Sequence, residues 1–313
     1  MSLEWPIVFM GTPEIAAVTL DSLFASPDHV IGVVTQPDRP SGRGQRPLPS
    51  PVRKLAEAHG VPVITPEKIR APEVLERLRA WRPQIIVVVA YGRILPKTIL
   101  DLPPYGCLNV HYSLLPKYRG AAPAAWTIIN GEEQGGVTTM KLVEKMDAGA
   151  IYLQEAVPLA PDETTGSLQK KLTPIGCRLL AETFCRLKEG SFIPREQDES
   201  QASLAPMLKK EDGLIDWRRS AAEIERRVRG LDPWPGSFTY LNRRLLKVHR
   251  AMIMSENRPG DPGEIVRADR GGFWAATAAG VISLEEVQLE NKKKLPGLEF
   301  LRGARVTTGD RLG

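Results

Sequence analysis

Six consecutive residues, Gln84-Ile-Ile-Val-Val-Val89, limit the fold more than any other stretch. β-branched side chains favour extended backbone, and a run that is apolar on both faces must be covered on both faces. The run therefore predicts a central strand of a parallel sheet over 84–89. Its surroundings suit an open α/β layer. Ile7 to Met10 reads as a short apolar strand. Gly11-Thr-Pro-Glu14 follows, with Pro13 suited to a first helical turn and Glu14 to the helix dipole. Ile15, Val18, Leu20 and Leu23 supply an apolar stripe, and Val30 to Thr35 is the next strand. Helices are expected over 52–59 and 72–81, with a short strand over 61–64. This opening lacks Gly-x-Gly-x-x-Gly, which disfavours a nicotinamide dehydrogenase.

The second constraint is the stretch Tyr105 to Pro123. Gly106 to Val110 reads as a short buried strand, and Asn109 and His111, two apart, point to the same side of the pleat. Asn offers an amide donor, and His offers a donor and a titratable proton. Ser113-Leu-Leu-Pro116 breaks away, because Leu115 precedes a proline, and Gly120 to Pro123 opens a helix over 121–130. Two polar groups thus stand at the carboxyl end of a strand, where open α/β sheets bind ligands. Taken alone, Asn-x-His reads first as a pair of core residues satisfied by backbone, and only the longer string reverses that.

The longer string Asn-x-His-x-Ser-Leu-Leu-Pro-x-Tyr-Arg-Gly resembles the signature of the folate-dependent formyltransferases. The likeness continues to Val143-Glu-Lys-Met-Asp147-Ala-Gly149, which resembles the family's catalytic aspartate loop, and covers nearly the whole chain. The resemblance implies Asn109, His111 and Asp147 as catalytic residues and 10-formyltetrahydrofolate as the formyl donor. It places the folate against Arg93, Ile94 and Leu95 after the central strand, against Ser113, Leu114, Leu115 and Pro116, and at Val143. Read alone, 90–96 is equally a simple turn. For the members that act on tRNA, the resemblance implies methionyl initiator tRNA as acceptor, engaged by Arg39, Arg43 and Arg46 of a basic loop.

That loop, Gln36 to Ser50, is rich in Pro and Gly, and its composition predicts no regular structure. A solvated connection is the plain alternative. Further on, 136–142 and 150–157 read as a strand pair around the Asp147 loop. Thr164 to Lys188 reads as a long helix carrying Leu168, Leu172, Ile175, Leu179 and Leu187. Ser191 to Pro206 is polar and irregular and reads as a linker. From 207 on come a short helix over 221–229 and strands over 237–241, 244–254, 263–268, 272–276 and 281–288, which suggest a small barrel. The expected fold is α/β: a Rossmann-like, mostly parallel sheet domain over 1–190, a linker over 191–206, and an OB-like β-barrel domain over 207–313. The OB-like likeness, too, comes from the family resemblance.

Residues 1–206 balance basic and acidic side chains, so the net charge of +5 falls in 207–313. Concentrated there, the excess points to a polyanionic partner. Lys292-Lys-Lys294 reads as a phosphate contact or a solvated run. Three scattered cysteines without Cys-x-x-Cys suit a reduced, cytoplasmic protein with no zinc site. No apolar run has membrane-spanning length and no signal pattern opens the chain. A monomer without a metal is expected.

Formyl transfer to an amine is acyl transfer. It needs donors aimed at the developing oxyanion, a proton carrier near neutral pH, and tight positioning. The resemblance casts Asn109 as an oxyanion donor, His111 as donor and proton carrier, and Asp147 as the group that orients the imidazole. Sister enzymes formylate glycinamide ribonucleotide or a nucleotide-linked aminosugar, and share these three residues. The basic loop and basic C-terminal region favour tRNA. A non-catalytic RNA-binding protein of the same fold is the other class, against which the intact triad argues.

Overall fold

The structure, a computed structural model, describes residues 4–41, 46–190, 192–256 and 258–313. It divides into two compact units. The first comprises the chain up to Pro123, Gly135–Val157 and Gln169–Pro206; the second comprises Ala124–Gln134, Pro158–Leu168 and Met207–Gly313.

In chain order the elements up to 206 are β1 (Pro6–Gly11), α1 (Glu14–Phe24), β2 (His29–Val34), β3 (Arg39–Ser41), β4 (Arg46–Leu48), α2 (Pro51–Ala58), β5 (Val63–Ile64), α3 (Pro72–Trp81), β6 (Ile85–Val89), α4 (Lys97–Leu100), β7 (Cys107–His111), β8 (Arg119–Gly120), α5 (Pro123–Ile129), β9 (Gln134–Lys141), β10 (Ile151–Pro158), α6 (Thr165–Glu189) and β11 (Leu204–Ala205). Seven strands form one sheet in the order β10-β9-β7-β6-β1-β2-β5. The pairs β1–β2, β1–β6, β2–β5 and β6–β7 are parallel, and β7–β9 is antiparallel. The β-branched run is indeed central: all five residues of β6 are buried. Val8, Met10, Ile86 and Val88 share an apolar cluster with Val74 and Leu78 of α3. Because β1, β2, β6 and β7 run the same way, their carboxyl ends open on one edge, which carries Thr12, Gln36, Tyr91 and His111. On the β7–β9 side, Tyr112 Oη donates to Thr173 Oγ1 of α6 at 3.3 Å, and Thr139 and Thr183 hydroxyls meet at 2.8 Å.

Two expectations change. The basic loop contains a short antiparallel pair, β3 with β4, in which Pro40 faces Pro47. An isolated two-stranded ladder uses the N–H of alternate residues only, so opposed prolines are tolerated where a sheet interior would reject them. Residues 192–206 are pinned to the first unit. Arg195 exchanges both backbone bonds with Ile151, and β11 pairs with β8 in parallel. Composition hid this, because the segment is held by polar side chains and backbone rather than by an apolar stripe.

In the second unit, α7 (Ala221–Gly230) is followed by β12 (Ser237–Leu241), β13 (Arg244–Met254), β14 (Ile265–Asp269), β15 (Gly272–Ala276), β16 (Val281–Leu289), β17 (Leu295–Pro296) and α8 (Gly297–Gly303). Ser220 and Glu223 form a reciprocal cap that starts α7. The antiparallel sheet runs β12-β13-β16-β15-β14, with β17 also on β16. Its two edges are joined by the last residues: Leu312 bridges Leu241 of β12, and Arg311 bridges Glu264 beside β14. Closure removes the exposed edges that a five-strand path would leave. Leu246, Val248, Ile265, Phe273, Ile282, Leu284 and Val287 fill the interior against Ile224 and Val228 of α7.

Candidate active site

Asn109 and His111 alternate on β7, 9% and 5% exposed, so the pleat turns both to one side. Asn109 stands opposite Val88 of β6 and Met140 of β9; His111 stands opposite Thr138. Among the described residues the Asn109 amide has no hydrogen-bond partner, which leaves its two donors for a ligand.

The His111 ring is gripped from one side. Nε2 lies 2.9 Å from the Tyr118 carbonyl oxygen. A carbonyl can only accept, so Nε2 carries the proton and, in the neutral ring, Nδ1 carries the lone pair. Nδ1 faces Asp147 Oδ2 at 3.8 Å. That is too long for a direct hydrogen bond, but close enough for the carboxylate to stabilise positive charge developing on the ring. Oδ2 itself accepts the Gly120 N–H at 2.8 Å.

Each half of this pair is held by a strained turn. Tyr118 and Gly120 have φ of +63° and +127°, and Asp147 has φ of +46°. A left-handed non-glycine residue costs about 1–3 kcal/mol and persists only when its surroundings fix it. Here a Cβ on Gly149 would overlap the Lys141 carbonyl oxygen, so only glycine lets the Asp147 turn lie this close to β9. Gln197 Nε2 donates to the carbonyls of Asp147 and Gly149 at 2.8 and 2.7 Å.

The stretch Ser113 to Pro116 is fastened to β9 and β10. Thr138 Oγ1 donates to the Ser113 carbonyl at 2.6 Å, and Gln154 Nε2 donates to the Leu115 carbonyl at 2.9 Å. Ser113 Oγ donates to the Lys117 carbonyl at 2.7 Å, and Leu115 packs with Met140 and Ile151. Leu114 is half-buried, as is Pro116. After β6, Gln36 Nε2 donates to the Tyr91 carbonyl, and Arg93 Nε donates to Gln36 Oε1 at 3.2 Å. Ile94 is 67% exposed and Val143 39%, whereas Leu95 is buried in the β6 cluster.

His111 and Asp147 are therefore brought together, with Asn109 and Ser113 to Pro116 on the same strand and its exit loop. Arg93 and Ile94 stand at the end of the neighbouring strand. Leu95 and Leu115 turn inward and can only back a pocket. Arg39 and Arg46 lie in the β3–β4 pair, and Arg43 lies outside the described residues. Burial pushes the Cys107 thiol up to about 12, so it is a core residue and no nucleophile. His29, His59 and His249 stand elsewhere, on Glu4, Phe24 and Gln288. Among the described residues no cluster of His, Cys, Asp and Glu could hold a metal, and no helix is long and apolar enough to cross a membrane. Reading from sequence missed Thr138, Gln154 and Gln197. Nothing in their local pattern marks them, because each acts across 16 or more residues.

Two family models match: "Formyl transferase" over residues 6–184, and "Formyl transferase, C-terminal domain" over 207–305. A methionyl-tRNA formyltransferase from Citrifermentans bemidjiense is 50% identical over 307 residues, 98% of this chain and 96% of that protein. One from Geobacter sulfurreducens is 47% identical over the same share of both chains. HypX from Aquifex aeolicus, solved with tetrahydrofolic acid, is similar with a TM-score of 0.63 at 19% identity. That likeness covers 99% of this chain and 51% of HypX, so the chain spans about half of HypX. An N-formyltransferase from Helicobacter canadensis, solved with folinic acid and dTDP-3-aminofucose, gives 0.64 at 18% identity over 89% of this chain and 98% of that one. At such identities the structures speak for the fold alone.

Proposed function

The chain belongs to the formyl transferase family in both of its matched regions, and from that premise we propose that it moves a formyl group from 10-formyltetrahydrofolate to the α-amino group of methionyl initiator tRNA. The relatives that match 98% of the chain carry that activity in their names. The observation that carries the mechanism is the His111 ring, held by the Tyr118 carbonyl at Nε2 and facing Asp147 with Nδ1.

The formyl donor supplies an activated one-carbon acyl group on nitrogen. The protein's part is to hold, orient and handle charge. Asn109 donates to the formyl oxygen as negative charge gathers on it. His111 Nδ1 receives the proton released by the attacking amine and returns it to the departing nitrogen. Asp147 keeps that ring oriented and offsets its positive charge. No side chain need bond covalently to the formyl carbon.

The residues present fit a folate. Ile94 and Val143 are exposed apolar side chains, and Arg93 and Gln36 offer polar groups that are themselves hydrogen-bonded, a mix suited to a flat, partly apolar heterocycle. Ser113 to Pro116 would contribute walls and backbone, with Leu95 and Leu115 as backing. Arg39, Arg43 and Arg46 would meet the tRNA acceptor end, since guanidinium groups bind phosphate and stack on unpaired bases. Residues 207–313 would carry further tRNA contacts on their basic surface. A cytoplasmic monomer fits this work.

The deciding experiment offers the protein three acceptors with 10-formyltetrahydrofolate: charged initiator tRNA, glycinamide ribonucleotide and water. Formyl-methionyl-tRNA should accumulate at a rate far above the other products. Preferential formylation of the ribonucleotide would overturn the tRNA reading.

A further inference from the structure

We propose that Gln197 is a positioning residue for the transfer reaction: it sets the turn that presents Asp147 to His111. The proposal rests on the reading above, that this pair handles the proton.

Every polar capacity of the Gln197 amide is used. Its Nε2 donates to the carbonyls of Asp147 and Gly149, on the two sides of one turn. Its Oε1 accepts from Arg119 Nε at 3.0 Å and from Nη2 at 2.8 Å. An arginine only donates, so the amide cannot be flipped, and its N–H groups must face the turn. Arg119 is itself locked. Its side chain is 4% exposed, and two further N–H groups, on Nη2 and Nη1, meet Glu199 at 3.0 and 3.1 Å. Glu199 also accepts from Lys145 Nζ at 2.6 Å, on the Asp147 loop.

The contacts close a ring. Asp147 Oδ2 is held by the Gly120 N–H, Gly120 follows Arg119, Arg119 holds Gln197, and Gln197 holds the Asp147 carbonyl. Asp147 sits at φ +46°, where its backbone has little intrinsic preference to stay. Two donors fixed by a buried guanidinium keep it there. The segment that supplies them is anchored on both sides, by the Arg195–Ile151 bridge and by β11 on β8. At metal sites, removing a group that orients a ligand costs about 10- to 100-fold, and a loss on that scale is the expectation for a group that orients Asp147.

The test is a double-mutant cycle on the full chain, with Gln197→Ala, Asp147→Asn and the pair. Turnover is measured together with KM for 10-formyltetrahydrofolate and for tRNA, Tm, and the pH profile of kcat. We expect Gln197→Ala to lower kcat about 10- to 100-fold, to leave both KM values within about threefold, and to shift the pH profile. In the Asp147→Asn background the same change should cost almost nothing, because its effect passes through Asp147. Additive losses, or a loss confined to Tm with kcat per folate-binding site unchanged, would overturn the proposal. Asp147→Asn without effect on formyl transfer would instead overturn the proton-handling reading on which it rests. Gln197→Glu is the second variant: it keeps an acceptor for Arg119 but removes the donors, and it should fail like Gln197→Ala while retaining the wild-type Tm.

Discussion

His111 Nδ1 stands 3.8 Å from Asp147 Oδ2, while the opposite nitrogen is bound to the Tyr118 carbonyl. The carboxylate is therefore near the ring without holding its proton. A direct hydrogen bond would pin a proton on Nδ1; this spacing leaves that nitrogen uncommitted to the carboxylate while keeping a negative charge at hand. Strand pairing sets the ring's place and two turns set its partners.

The first prediction concerns these groups. His111→Ala should lower kcat about a hundred- to ten-thousand-fold, the range for a lost general acid–base. Asn109→Ala should lower it about a hundred- to a thousand-fold, as for one oxyanion donor. KM for both substrates should change little. Steady-state kinetics with purified variants check this, and near-normal turnover by His111→Ala would remove the site.

Gly149→Ala should be costly although the residue bears no functional group. The added Cβ meets the Lys141 carbonyl oxygen, which cannot retreat without disturbing β9. We expect a destabilisation of about 1–3 kcal/mol in urea unfolding, and a kcat loss larger than that of a Gly→Ala change at Gly303, where a Cβ would meet open space and the backbone is not left-handed.

Glu199 gives a pH signature. Hydrogen bonds from Arg119, then Lys145, lower its pKa from 4.5 to about 2. A lowered folded-state value means the stabilisation is fully present above pH 4.5 and fades as pH falls toward about 2. The Tm difference between the wild type and Glu199→Gln should thus be constant from pH 7 to about 5 and shrink below that. A difference that grows on acidification would contradict the ion pair.

Charge should tell on tRNA and not on folate. Replacing Lys292, Lys293 and Lys294 together by Ala should raise KM for tRNA. It should also flatten the salt dependence by about one log–log unit for each phosphate that the protein no longer neutralises. Folate affinity should be unchanged. These substitutions test the C-terminal region more cleanly than truncation at 207, because 124–134 and 158–168 belong to the same compact unit. An unaltered salt slope would make the lysines a solvated run.

Arg43→Ala should weaken tRNA-dependent formylation and leave folate binding as it is. Both are measured on one preparation, and unchanged tRNA kinetics would reopen a small-molecule acceptor.

Much of the molecule was legible because it depends on near neighbours in the chain. The β-branched run could only be a doubly covered strand, and it became β6. The period of two put Asn109 and His111 on one side, as the strand shows. The C-terminal strands followed turn residues that act locally. The Pro-rich loop misled because the rule that removes donors from a ladder says nothing about an isolated pair, where half the donors are unused.

What the sequence by itself determined is the alternation of elements, the residues on β7, and the loop that carries Asp147. Only the tertiary structure decided that Asp147 meets His111, that the Tyr118 carbonyl chooses its protonated nitrogen, that the last residues of the chain join the edges of the second sheet, and that Gln197 reaches back 50 residues to the Asp147 turn. The physical reason is one of range. Strand and helix patterns arise from backbone sterics and the burial of neighbouring side chains, which any short window contains. A hydrogen bond between distant polar residues depends on where the folded chain brings two surfaces together, and a polar side chain in a polar segment looks the same whether it meets water or a partner.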